Sequence, residues 1–140
     1  MHSHGRKLGL YVLVEAFNKQ FLKRHFKNIQ SNMYEGGFIG DIDAELEVSS
    51  GDHPNDQSAL KTLVSAAQEP DRSKRFARLE QALEMDRFIT FLAMEVLLVH
   101  WDGYSMNVNN YRIFHDLDSN RLVFLPHGLD IGSTNWPRDL

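Results

Sequence analysis

Two strand-forming runs, NYRIFHD (Asn110–Asp116) and RLVFLP (Arg121–Pro126), are separated only by Leu117-Asp118-Ser119-Asn120. Aromatic and β-branched residues fill both runs. Asp, Ser and Asn suit the turn between them, with Asp116 and Asp118 as turn residues. Pro126, which has no N–H to give a ladder, ends the second run. The pattern predicts a β-hairpin, and no other feature constrains the fold as tightly. A hairpin fixes the distance between the chain that enters it and the chain that leaves it. The entering chain is His100-Trp101-Asp102 followed by a loop holding Asn107, Asn109 and Asn110. The leaving chain is LPHGLD, ending at Asp130.

Upstream, GLYVLVEAF (Gly9–Phe17) reads as a strand. Asn18 is placed to cap a short helix, KQFLKRHF, with Phe17 and Leu22 at hydrophobic-staple spacing. Residues 31–48 are Gly-punctuated and read as short strand pieces and turns, and Ser49–Gln57 as loop. Asp56 is expected to cap a helix to about Ala67. Pro70 and Asp71 break that helix and start a second, with Phe76, Leu79 and Leu83 on one face. Asp86 is expected to cap a third. Its apolar residues Phe88, Phe91, Leu92, Val96 and Val99, flanked by Leu97 and Leu98, predict a central core helix apolar on most sides. Strands and helices together give an α+β fold.

A chain of 140 residues with 42% hydrophobic and 24% charged residues can build one compact domain with a sizeable core. Its net charge of −4 leaves no basic surplus for phosphate neutralisation, which argues against non-specific nucleic-acid binding. The absence of cysteine removes disulfides, thiolate metal sites and Cys nucleophiles. No apolar run is long enough to span a bilayer, because Thr90 and Glu95 interrupt the most apolar stretch, so membrane insertion is not expected. The opening MHSHGRKLG lacks the apolar centre of a signal peptide. The abrupt start and end lead us to expect a piece of a longer protein.

Asp102 stands where the apolar helix gives way to a loop, a position from which a rigidly held carboxylate can reach solvent and act as a base. The simpler alternative is that it only turns the chain. Asn107 lies five residues after Asp102 and Asn110 eight after it, directly before the strand; both are also turn formers. Asp130 follows a strand end and has Gly132 behind it. His100, His115 and His127 match no common zinc spacing. A metal-dependent hydrolase using Asp102, His127 and Asp130 is a weaker alternative. Glu95, on an apolar helix, requires a partner if buried; it could orient a loop or pair with a residue such as Arg112.

In this order the pieces resemble the spore coat protein CotH kinase family, an atypical protein-kinase-like group. GLYVLVEAFNKQFLKRHF resembles its strand-Glu-helix segment, SNMYEGG its "G-x-L-Y-K" segment, and Phe88–Asp102 with the Asn-Tyr strand and the Pro-x-x-x-Asp end its catalytic core. The resemblance implies a protein-kinase-like fold over residues 1–140. We expect a partial domain: the catalytic half with a few strands of the nucleotide-binding half. It also implies Mg²⁺ and ATP as cofactors and a protein hydroxyl as acceptor. Asp102 would orient or deprotonate that hydroxyl, while Asn110 or Asn107, with Asp130, would hold metal. Glu15 would face the nucleotide cleft, and Glu35 occupies the position where the family usually has a phosphate-binding lysine. Lys23, Arg24 and Lys27 are candidates to replace that charge. Gly128 stands where the family often has a second acid. These two departures imply an alternative, a pseudokinase that keeps the fold as a coat or envelope binding protein.

Overall fold

A computed structural model describes residues 2–3, 6–7 and 15–129 of the chain. Two short strands, β1 (His2–Ser3) and β2 (Arg6–Lys7), pair antiparallel. The main body is a four-stranded antiparallel sheet of β3 (Met33–Glu35), β4 (Glu47–Ser50), β5 (Tyr111–Asp116) and β6 (Arg121–Pro126), in the spatial order β4-β3-β5-β6. Helix α1 (Lys19–His25) covers one face of this sheet. Helices α2 (Ser58–Ala67), α3 (Arg72–Ala82) and α4 (Met85–Leu97), with the single turn α5 (Tyr104–Asn107), lie on the other. The chain is thus α+β.

The hairpin forms as its sequence predicts, with Tyr111 opposite Pro126 and Asp116 opposite Arg121. Asp116 closes the turn by accepting from the Asp118 N–H and the Ser119 hydroxyl. Period-2 alternation divides the sheet between two cores. Tyr34, Tyr111, Ile113, Leu122 and Phe124 pack with Leu60, Leu63 and Phe91 of the helices. Met33, Phe114 and Val123 pack with Leu22 and Phe26 of α1. The α3–α4 junction covers the outer edge of β6, where the Glu84 N–H donates to the Leu122 carbonyl at 2.9 Å. This contact occupies a backbone group that an open edge would expose.

The helix starts follow their sequence signals closely. The Asn18 side chain accepts from the Gln20 and Phe21 N–H groups, and Phe17 packs edge-on against Phe21 and joins the Leu22 core. Gln57, not Asp56, stands at the N-cap of α2; Asp56 lies one residue earlier and accepts from the Ser58 N–H, and hydrogen bonds from Ser58 hold its carboxyl below the usual carboxylate range. Asp71 caps α3 through the Lys74 N–H. Three other expectations change. Glu84, not Asp86, stands at the start of α4, and Asp86 falls in its first turn. Ser49 and Ser50 belong to a strand rather than a loop. Of the expected strand Gly9–Phe17, residues 9–14 lie outside the described residues, and Glu15–Phe17 is not strand.

The largest change concerns α4. It was expected to be enclosed on most sides, yet only Phe91 and Glu95 are buried, with Phe88 and Leu92 half-buried. Val96 and Leu97 are 64% and 75% exposed. One sheet face can cover only one stripe of a helix, and here the sheet takes the stripe through residues 88, 91, 92 and 95. Likewise Phe76 of α3 is exposed while Leu79 and Leu83 pack inward. Among the described residues no helix is long and apolar enough to cross a membrane.

Candidate functional site

An aromatic cluster sets the position of the loop that follows α4. Tyr104 packs 4.8 Å from Tyr111 and 5.0 Å from Phe124, ring centre to ring centre, and Phe88 lies 4.7 Å from Phe124. The end of α4, the turn α5 and the base of the hairpin therefore form one packed unit. Two phenols extend it. Tyr104 donates to Asp41 at 3.0 Å, and Tyr111 donates to the Gly40 carbonyl. Burial pushes both phenols above their ordinary range, and the Asp41 charge adds to the effect.

Asp102 is half-buried at the hairpin base. Its Oδ1 accepts from Asn109 Nδ2 at 3.0 Å and its Oδ2 from Asn110 Nδ2 at 2.7 Å. The same Asn110 nitrogen also reaches the Asp102 carbonyl at 2.8 Å. Asn110 adopts a left-handed backbone, φ 51°, which Asn tolerates better than most residues, and its carbonyl accepts from the His127 N–H. That backbone bond ties the entry of the hairpin to its exit. Asn107 is not part of the cluster. It is exposed, and its amide donates to the Trp101 carbonyl. Asp130 lies outside the described residues.

Beneath this loop sits a buried pair. Glu95 accepts from the Tyr104 N–H at 3.1 Å and from the Ser105 N–H at 2.8 Å. His100 Nδ1 stands 3.4 Å from Glu95 Oε1, and His100 Nε2 lies 3.2 Å from the Gly128 carbonyl. Glu95 therefore orients the loop and does not meet Arg112, the ion-pair partner its sequence context suggested.

Arg112 instead pairs with Glu35 across β3 and β5 at 3.0 Å and lies over the Phe17 ring. Glu35 is thus matched by a cation from the next strand. Glu15 pairs with Arg24 at 2.7 Å, which engages one of the three cations considered as replacements. Gly128 has φ +68°, and a Cβ there would approach Asn110 Cγ to 3.0 Å. The histidines do not converge. His115 meets Asn120, His127 lies over Phe17, and among the described residues no group of three or more His, Cys, Asp or Glu could hold a metal ion.

Sequence reasoning missed Asn109 as a partner of Asp102, His100 as a partner of Glu95, and Arg112 as a partner of Glu35. The last had a signal: one strand of alternating pattern puts Arg112 and Phe114 on one face, beside whichever strand pairs with it.

The site is thus a carboxylate held by two asparagine amides at the base of a hairpin, on an α+β scaffold. The family description "CotH kinase protein" matches residues 2–139, and the chain belongs to the CotH kinase family. It is 30% identical over 126 residues to invasin CotH7 of Rhizopus delemar, a match covering 85% of this chain and 21% of that protein. Invasin CotH3 of the same organism is 32% identical over 88 residues, covering 59% of this chain and 15% of that protein. The chain spans about a fifth of the first of these relatives.

Proposed function

We propose that this chain contributes the catalytic loop of a Mg²⁺- and ATP-dependent kinase of protein hydroxyl groups, built as a partial kinase-like domain. The observation that carries this reading is the clamping of Asp102 by Asn109 and Asn110 in a member of the CotH kinase family. Two donated hydrogen bonds keep the Asp102 carboxylate in one orientation, and its half-buried position leaves it accessible to an acceptor hydroxyl. Asp102 then orients that hydroxyl and accepts its proton. Asn110 gives its amide nitrogen to Asp102, so its Oδ1 is the atom with which it would face a cation. Asn110 and Asp130 are assigned to Mg²⁺, a hard ion that takes oxygen donors and needs only one or two protein ligands beside phosphate and water. The bound ion would supply neutralisation of the phosphate charge. Arg112 is the cation closest to Glu35, and it offsets the carboxylate that replaces the family's lysine.

Incubation with γ-labelled ATP, Mg²⁺ and a protein acceptor tests the reading. Label transfer should occur and should fall by at least about 100-fold in Asp102→Asn, the scale of a lost general base. Transfer unchanged by that substitution would refute the assigned role.

A second reading, a binding protein that keeps the fold without catalysis, is favoured by Glu35 and Gly128 and by the name invasin carried by the relatives. It predicts no rise in melting temperature with millimolar Mg²⁺ and ATP, whereas a nucleotide binder is stabilised by mass action.

A further inference from the structure

We propose that Glu95 and His100 act together as positioning residues, a buried link that holds the Asp102 loop in register with the turn after β6. The proposal rests on the kinase reading for its catalytic consequence, though not for its structural one. Both side chains are essentially inaccessible, 1% and 0% exposed. A carboxylate in such a place is costly unless its oxygens are satisfied. Glu95 meets that requirement with the two N–H groups that open α5, Tyr104 and Ser105. These residues follow Asp102 directly in the chain, so Glu95 fixes the far side of the loop that carries Asp102.

His100 extends the link. Its Nε2 lies 3.2 Å from the Gly128 carbonyl, while its Nδ1 packs 3.4 Å from Glu95 Oε1 outside hydrogen-bonding geometry, so the two side chains are linked by close packing rather than by a hydrogen bond. Gly128 immediately precedes Leu129 and Asp130. The link therefore runs from the Asp102 loop, through Glu95 and His100, to the segment bearing the other candidate carboxylate. The Asn110 carbonyl bond to the His127 N–H is a second tie between the same segments.

Gly103 is what allows the loop to close over the pair. A Cβ at that position would lie 2.4 Å from His100 Nδ1 and 2.6 Å from Glu95 Oε1, distances no real side chain tolerates. The glycine is needed here for space, since its φ of −93° is open to any residue. No part of this link touches the acceptor, the nucleotide or the metal in the proposed reaction, so its members position the site and do not react.

Amide hydrogen exchange on the intact chain tests the link without reference to catalysis. Glu95→Gln should speed exchange of the His127 N–H, which Glu95 does not touch. His100→Leu should speed exchange of the Tyr104 and Ser105 N–H groups, which His100 does not touch. The β5–β6 ladder serves as the internal reference and should stay protected in both variants. Effects confined to the groups each side chain contacts directly would overturn the proposal, even if both variants lose stability. The catalytic arm is separate. Glu95→Gln and His100→Leu should lower kcat of label transfer by about 10- to 100-fold with little change in KM for ATP, the pattern of a lost supporting contact. His100→Gln, which can still donate to the Gly128 carbonyl, should retain more activity than His100→Leu. If the native chain transfers no label, the kinase reading fails while the exchange experiment still decides the link.

Discussion

Asn110→Asp is the sharpest perturbation of the site, because it changes one donor into an acceptor without changing shape. Asp, like Asn, accepts the left-handed backbone at this position, so the φ of 51° adds no new strain. The native amide nitrogen sits 2.7 Å from Asp102 Oδ2 and 2.8 Å from the Asp102 carbonyl. Losing a hydrogen bond to a charged group costs about 1.5–3 kcal/mol, and one to a neutral carbonyl about 0.5–1.5 kcal/mol. Two carboxylates about 3 Å apart would also repel by about 1.4 kcal/mol at the dielectric of water. Asp102 is half-exposed, so that screened figure applies rather than a low-dielectric one. Because the new carboxylate can turn toward water, we expect a net loss of about 3 kcal/mol at neutral pH. The sign of the pH dependence follows from linkage. The folded variant holds an extra proton more tightly than the unfolded chain, so its deficit relative to native shrinks in acid and grows as pH rises. Urea unfolding near pH 4.5 and near pH 7 measures this, and at least about 1 kcal/mol of the deficit should be recovered at the lower pH. Asn110→Ala is the control, with a similar loss of hydrogen bonds and no such recovery. Equal deficits for Asn110→Asp at both pH values would refute the claim that the amide–carboxylate clamp holds this loop. Millimolar Mg²⁺ adds a second reading, since it should stabilise Asn110→Asp more than the native chain if the pair faces a cation site.

The remaining predictions concern the surroundings of the site. Tyr104 and Tyr111 are raised from the ordinary value of 10.0, first by burial, so their contribution is complete below pH 10 and is lost as pH rises above it. Alkaline unfolding of Tyr111→Phe should be less steep than that of the native chain, as followed by circular dichroism. Gly128→Asp should destabilise the fold by about 1–2 kcal/mol, because the left-handed backbone favours glycine over Asp and the added Cβ would crowd Asn110. Thermal denaturation checks this. Glu35→Lys loses the ion pair and sets a second cation beside Arg112, so it should cost about 1–2 kcal/mol, and should increase the melting-temperature shift produced by Mg²⁺ and ATP if the position faces phosphate. Leu97→Lys should leave stability within about 0.5 kcal/mol of native, because the residue is 75% exposed; thermal denaturation checks this.

What was legible in the sequence is what depends on neighbours in the chain. The hairpin is fixed by a turn of Asp, Ser and Asn and by a proline that cannot extend the ladder, and its register matches that reading. The caps at Asn18 and Asp71 are likewise local, since each side chain bonds an N–H two or three residues ahead; the cap of α2 falls at Gln57, one residue past the expected Asp56. The enclosure of α4 was misread because composition records that a helix is apolar and does not record how many surfaces reach it. Val96 and Leu97 have the same letters as core residues, yet among the described residues no element packs over them. Asn107 and Asn110 could not be told apart by spacing. The difference arises where the chain approaches the strand, since Asn109 and Asn110 are carried back against Asp102 while Asn107 turns to the Trp101 carbonyl.

The pairing of Glu35 with Arg112 bears on the choice between a catalyst and a binding protein. If Glu35 stands where the resemblance implies a phosphate-binding lysine, the acid removes attraction and adds repulsion, which counts twice against nucleotide binding. Cross-strand pairing alters that account, because Arg112 lies on the same face and neutralises the acid at 3.0 Å. The local charge is then close to zero instead of negative, so the deficit is the loss of one cation and not its reversal. A guanidinium also keeps donors beyond those spent on one carboxylate oxygen and can serve a second anion. Arg112 gives Nη2 to Glu35 and its Nε is buried, so Nη1 is the nitrogen left to meet a second anion. An arginine held this way remains chemically able to meet a phosphate, and Arg112→Leu should therefore abolish any Mg²⁺–ATP thermal shift that Glu35→Lys enhances. A shift that survives Arg112→Leu would place nucleotide binding elsewhere and remove the compensation argument.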